Sequence, residues 1–208
     1  MHDKTISIES RDISKKFGNT RLFSNVNFLL NKGDSFFITG PNGSGKSTLM
    51  QILTGIQKPS SGNIIYTSGG TVIDSSLYKE IYGFTGPQVN SYDMLTASEN
   101  LKFTVSQKVD EKKINEYLEK FGLYRHRTKP VKYYSSGMKQ RLRLIHALIN
   151  DRKILMLDEP CTNLDSKGRD ILYETINEIK NNKIIIIATN ESDDIKLCAR
   201  GINLEQHS

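Results

Sequence analysis

The chain has 208 residues, 37% of them hydrophobic, with no tryptophan and a formal net charge of +6. That length supports one good core of ordinary domain size, and the longest apolar run is far short of the roughly 18 residues a membrane-spanning helix needs, which excludes a bilayer-crossing protein. The positive balance is compatible with phosphate-bearing ligands, nucleic acid or anionic lipid, but the basic residues come in scattered pairs such as Lys15-Lys16 and Lys112-Lys113, the pattern of a solvated face.

The opening MHDKTISIES has neither the basic flank nor the apolar centre of a secretion signal, so the protein is expected to stay in the cytoplasm, with Cys161 and Cys198 as free thiols. Residues 5–9 and 22–30 read as strands, and DSFFIT (34–39) reads as a buried strand running into a glycine-rich turn. A helix follows, STLMQILTG, with Leu49, Met50, Ile52 and Leu53 on one side and Gly55 and Pro59 ending it. From about 97 to 149 the chain turns helical, most clearly in INEYLEKFG and SSGMKQRLRLIHALIN. KILMLD (153–158) then reads as strand, SKGRDILYETINEIK (166–180) as helix and KIIIIAT (183–189) as strand. Strands that alternate with helices and lack a period of two indicate a parallel sheet covered on both faces. There is no internal repeat and no low-complexity tract.

The turn GPNGSGKST (40–48) matches the phosphate-loop pattern, with Gly40, Gly45, Lys46 and Ser47 in place between a strand and a helix. Its glycines let the backbone of Pro41, Asn42, Gly43, Ser44 and Gly45 curl so that N–H groups converge on phosphate oxygens, and the following helix adds its positive end. Lys46 can neutralise the terminal phosphates, and the Ser47 hydroxyl can ligate Mg²⁺. In ILMLDEP, Asp158 and Glu159 stand at the C-terminal end of a buried strand, the edge where open α/β sheets bind ligands. Asp158 is placed to hold Mg²⁺, directly or through water, and Glu159 to orient and deprotonate an attacking water. An acidic turn before Pro160 would explain the carboxylates alone, but not their company. Ser135, Ser136 and Gly137 open a long amphipathic helix and present amides with no phosphate of their own. An ordinary helix cap accounts for the serines equally well, though not for the glycine.

These segments together resemble the ATP-binding subunit of an ATP-binding-cassette transporter. Beyond the phosphate loop and LMLDEP, YSSGMKQRLRLIHALI (134–149) is similar to the family's signature segment, and GFTGPQ ends in Gln88, similar to its glutamine loop. TNLD (162–165) resembles the aspartate loop ending in Asp165, and Phe17 sits where an aromatic ring stacks on adenine.

The resemblance implies an α/β fold, a P-loop NTPase (RecA-like) parallel sheet core with an N-terminal antiparallel β subdomain and a helical insert. It implies one domain over 1–208, with the nucleotide-binding core in 1–88 and 151–208 and the helical subdomain in 89–150. It also implies ATP and Mg²⁺ as ligands, the metal on Ser47, Gln88 and Asp158, and catalysis by Glu159, Gln88, Asn190 and Lys46. Phe17, Pro41 to Thr48, Ser135, Gly137 and Asp165 are the expected nucleotide contacts, with Ser135 and Gly137 of the signature segment on the ATP of a second copy in an ATP-bound homodimer. Transmembrane permease subunits would be separate chains docked near Gln88 and VNSYDMLTASEN, with Tyr92 and Met94 as candidate contacts, and no nucleic acid is expected. The protein would then sit peripherally on the inner face of the cell membrane. The compact length is similar to subunits of haem-exporter type, and also to small multidrug or lipid exporters.

Two departures stand out. Family members usually carry histidine where Asn190 stands, and an amide can position a phosphate oxygen but not titrate, so slower hydrolysis is expected. Ser136 also adds a side chain where close approach to ATP is expected. His2 and His207 are terminal, His126 lies in a basic loop and His146 inside an apolar helix, so none replaces the missing histidine in sequence. A slow ATP-dependent dimer switch with a non-transport role is the alternative. Only about 85 residues separate phosphate loop and signature, too few for the long coiled coil of DNA-repair relatives. A small phosphate-loop kinase would leave Gln88, the signature and the aspartate loop without a role.

Overall fold

The computed structural model describes residues 5–105 and 109–207; residues 106–108 of the expected helical stretch, and His2, lie outside them. Two sheets share the chain. β1 (Ile6–Phe17), β2 (Thr20–Asn31), β4 (Ser61–Ser68) and β5 (Thr71–Val72) form an antiparallel sheet in the order β2-β1-β4-β5. β3 (Ser35–Thr39), β6 (Tyr82–Thr85), β7 (Ile154–Asp158), β8 (Ile184–Ala188) and β9 (Arg200–Asn203) form a parallel sheet in the order β6-β7-β8-β3-β9. The helices are α1 (Lys46–Leu53), α2 (Ala97–Thr104), α3 (Glu111–Lys120), α4 (Ser136–Leu148), α5 (Ser166–Ile179) and α6 (Ser192–Ile195).

The parallel sheet is covered on both faces, as its apolar runs require. Leu155, Leu157, Ile185 and Ile187 pack into the core shared with α2, α3, α4 and α5. Their sequence neighbours Ile154, Met156, Ile184 and Ile186 turn the other way, into the core under α1 and the antiparallel sheet. Both sets must therefore be apolar, which explains four consecutive isoleucines, each fully buried. Full burial of such side chains stabilises by about 1.5–3 kcal/mol apiece.

Three differences from the sequence reading have physical causes. β1 runs well past the expected 5–9, because irregular pairing between Ser10 and Lys16, with Asp12 and Asn25 at positive φ, breaks the alternation that marks a strand, while β2 exceeds the expected 22–30 only at its ends. β6 and β9, unread in the sequence, are the two edge strands, and each carries a glycine against which a neighbour presses. A Cβ on Gly83 would strike the Ala147 carbonyl of α4, and one on Gly201 would strike Phe37. Glycine at such close approaches removes the β-forming signal. β4 and β5 were also unread, their polar, glycine-flanked residues giving no alternating run. Among the described residues, no helix is long and apolar enough to cross a membrane.

Because every neighbouring pair in the second sheet is parallel, β3, β6, β7 and β8 deliver their C-terminal ends to one edge. The Glu159 N–H donates to the Ala188 carbonyl at 2.8 Å, and the Thr189 N–H to the Ile38 carbonyl at 3.0 Å. The phosphate loop, the acidic turn and Asn190 are thereby fixed side by side.

Candidate active site

The segment between β3 and α1 curls tightly, with Gly40, Gly43 and Gly45 all at positive φ. At Gly45 sterics add to the backbone requirement: a Cβ there would lie 2.7 Å from Leu22. Gly45 also occupies the N-cap of α1, and no side chain caps that end. The first amides of α1 therefore keep their hydrogen-bonding capacity for an anion. The Nζ of Lys46, nearly buried, donates to the Gly40 carbonyl at 2.8 Å. Around this turn lies a hollow of about 410 Å³ lined by Phe17, Leu22, Asn42, Gly43, Gly45, Lys46, Ser47, Thr48 and Glu159.

Asn42 and Glu159 also line a second cavity of about 620 Å³, which adds Asp158, Gln140, Arg143, Thr162, Asn163, Asn190 and Glu191. Asn42 and Glu159 thus border both hollows, and the carboxylates of Asp158 and Glu159 stand together in the 620 Å³ one. Asp158 is 2% exposed, and its Oδ1 has no hydrogen-bond partner. Burial raises its pKa, against the Ser47 hydroxyl and the charge of Lys46. A buried anionic oxygen left without a donor fits a divalent cation or its water, and the Ser47 hydroxyl stands beside it. Burial also raises the pKa of Glu159; Lys46 opposes the rise, while Asp158, Asp194 and Glu191 add to it. Glu159 has φ of 49°, a conformation that strains a residue with a Cβ and is found at sites where geometry is imposed.

Asn190 lies at the rim, exposed. Its Oδ1 accepts from the Thr39 hydroxyl at 3.3 Å, and its Nδ2 donates to Asn42 Oδ1 at 3.4 Å. Behind it, fully buried Asp194 accepts from Thr189 Oγ1 at 2.8 Å, Tyr173 OH at 2.7 Å and Cys161 Sγ at 3.0 Å. This knot joins the ends of β7 and β8 to α5 and α6.

Not every expected contact converges on these hollows. Pro41 and Ser44 shape the loop, the Ser44 N–H donating to the Pro41 carbonyl at 3.0 Å, without lining either space. The Gln88 carboxamide is turned to α1, where it accepts from Gln51 Nε2 at 2.5 Å. Ser135 caps α4 by accepting from the Met138 N–H; Gly137 passes so close to Asn163 that a Cβ would lie 2.8 Å from its carbonyl. Asp165 caps α5 and pairs with Arg141 at 2.5 Å. Ser135, Gly137 and Asp165 line neither hollow. His146 is no substitute for a histidine at 190: its Nδ1 meets Thr104 Oγ1 at 2.8 Å, and burial pushes its pKa down to about 4.

Gln140 and Arg143 also line the cavity, as do Thr162 and Asn163 of the TNLD segment and Glu191 beside Asn190, none of them given a role of its own in the sequence reading. The i, i+3 spacing of Gln140 and Arg143 on α4 was the available signal. A third hollow, of about 510 Å³, lies on the far side of Arg143, lined by Asn90, Ser91, Tyr92, Asp93, Val131, Lys139 and Arg143 itself. Tyr92, Met94 and Phe103 are exposed nearby, and the rings of Tyr92 and Phe103 meet edge to face at 5.2 Å.

The fold and the sequence recur among known proteins. The chain is 38% identical over 181 residues to the lantibiotic transport ATP-binding protein SrtF of Streptococcus pyogenes, covering 86% of this chain and 78% of that one. It is 32% identical over 189 residues to the linearmycin resistance ATP-binding protein LnrL of Bacillus subtilis (strain 168), covering 88% of this chain but only 60% of the relative's length. Its fold matches the ATP-binding cassette MJ0796, solved as a dimer in a post-hydrolysis state bound to ADP and Pi, with a TM-score of 0.81 and 26% identity over 94% of this chain and 93% of that one. A bacterial Atm1-family exporter with ATP bound shares the fold at a TM-score of 0.86 and 16% identity, over 99% of this chain and 38% of the exporter's. Residues 23–162 match the family described as ABC transporter, and this chain belongs to that family.

Proposed function

We propose that this chain binds ATP with Mg²⁺ and hydrolyses it as one half of a nucleotide-joined pair that powers separate membrane-spanning subunits at the inner face of the membrane. The observation that carries the reading is that Asn42 and Glu159 border both the phosphate-loop hollow and the Asp158–Glu159 cavity, which sets the loop beside the acidic turn. Phosphate held on the loop amides and Lys46 would place its terminal phosphorus toward Glu159. There Glu159 takes a proton from water, the water oxygen forms a bond to the terminal phosphorus, and ADP leaves with the electrons of the broken P–O bond. Ser47 and Asp158 would hold Mg²⁺, which when bound supplies positive charge to the phosphate oxygens. Phe17, 54% exposed at the mouth of the loop hollow, offers a ring face to adenine.

The paired reading is supported by Ser135, Gly137 and Asp165, which contribute to neither hollow of their own chain. A second copy's terminal phosphate would meet the open end of α4. The dimeric state of MJ0796 with ADP and Pi supports this arrangement by likeness. The groove beside Tyr92 and Asp93 is the candidate seat for the membrane subunits. A cassette touches nucleotide and not cargo, so cargo choice resides in those subunits; relatives named for linearmycin resistance and for lantibiotic transport accordingly share this cassette.

Asn190 bridges Thr39 and Asn42 at the position expected for a histidine, and it can orient the terminal phosphate without carrying charge. Turnover is then slower than an imidazole would allow. In saturating Mg-ATP the Glu159→Gln protein should form a dimer by light scattering; a strict monomer overturns the proposal. Asn190→His should hydrolyse ATP faster than wild type, and equal or lower turnover removes the handicap assigned to the amide.

A further inference from the structure

A chain of side-chain contacts runs from the catalytic turn to the groove. The Pro160 carbonyl, one residue past Glu159, accepts from Gln140 Nε2 at 2.8 Å. Gln140 is 5% exposed, and its Oε1 accepts from Arg143 Nη1 at 3.2 Å. The other arm of the same guanidinium, Nη2, reaches Asn90 Oδ1 at 3.5 Å, two residues past Gln88. Arg143 lines both the 620 Å³ cavity and the 510 Å³ groove, so its side chain is the wall between them.

The charge arrangement sharpens the point. Lys139, the other cation of the groove, is paired with Asp93 at 2.9 Å. Among the described residues Arg143 has no carboxylate within ion-pair distance, although Asp158 and Glu159 share its cavity. A half-buried guanidinium costs desolvation unless its planar fork is satisfied. Here the fork is divided between two amide oxygens on different segments, a geometry suited to holding those segments in register.

We propose that Arg143 is a positioning residue for hydrolysis. Through Gln140 it sets the Pro160 carbonyl, and so the turn that aims Glu159; through Asn90 it ties that setting to the groove. Displacement of the Asn90 segment then reaches Glu159 without any contact to nucleotide. The inference rests on Glu159 as the base.

The test is ATP turnover by the full-length protein with Arg143→Ala, Arg143→Lys, Asn90→Ala, the Asn90→Ala/Arg143→Ala double variant and Glu159→Gln. Arg143→Ala should lower kcat about tenfold with KM for ATP within twofold, since displaced catalytic geometry costs rate rather than binding. Arg143→Lys should not rescue, because a point charge cannot bridge Gln140 and Asn90. Asn90→Ala should lose less, and the double variant should be no slower than Arg143→Ala, as expected for groups in one chain of contacts. Additive losses, a KM rise with kcat intact, or wild-type turnover in Arg143→Ala beside an inactive Glu159→Gln would overturn the positioning role alone. Wild-type turnover in Glu159→Gln would remove the base and, with it, the target of Arg143. Melting temperatures of the variants, expected to equal wild type, separate positioning from loss of fold.

Discussion

Lys46 Nζ stands 3.9 Å from Oε1 of Glu159, joining the phosphate loop to the turn after β7. The cation and the expected base restrain one another, yet burial still holds the Glu159 carboxyl above the ordinary value of 4.5. A base must be ionised to work, so activity should fall as pH drops through that raised value. The acidic limb of kcat/KM for ATP is therefore expected above pH 4.5. Glu191→Gln removes a like charge that helps raise the Glu159 pKa, and should move the limb to lower pH; a pH series on both proteins checks this.

Asp158 should cost the ligand-free protein stability. Its folded pKa is raised above the ordinary 3.8 by burial, so its favourable contribution is complete below the unfolded value and is lost as pH rises through the folded one. At pH 7 to 8 without nucleotide or Mg²⁺, Asp158→Asn should melt higher than wild type, by on the order of 2 °C. The gap should close on acidification toward 3.8, where the wild-type carboxyl is itself protonated. Thermal scans at three pH values read this directly.

Gly83 lets β6 approach α4. A methyl group there would meet the Ala147 backbone carbonyl, which cannot swing aside as a side chain would. Gly83→Ala is expected to destabilise by about 1–3 kcal/mol, the usual cost of overpacking, measured by urea unfolding.

Asp194 gathers three donors while fully buried. Asp194→Ala would leave Thr189, Tyr173 and Cys161 without that acceptor, at an expected cost of about 2–4 kcal/mol. Burial and Asp194 together push the Cys161 thiol up to about 12. Native protein should react slowly with thiol reagents at pH 8, and the Asp194→Ala protein faster, because opening of the fold and loss of the carboxylate both favour thiolate. Labelling rates alongside denaturant curves test the two effects.

Much of this site could be read from the chain alone, because its chemistry is local in sequence. Gly40 to Thr48 form one loop and helix start, Asp158 and Glu159 are adjacent, and Asn190 lies two residues past its strand; steric freedom, charge and strand ends are visible in a string of residues. Local patterning likewise exposed β3, β7 and β8, whose two buried faces demand unbroken apolar runs. What needed the tertiary structure depended on contacts between distant segments. β6 and β9 were hidden because Gly83 and Gly201 answer to Ala147 and Phe37 rather than to strand propensity. The turning of Gln88 to Gln51, the buried acceptor Asp194, and Arg143 standing between two hollows all arise from side chains many residues apart. Adjacency along the chain determines which groups a turn can present, whereas packing decides which of them meet.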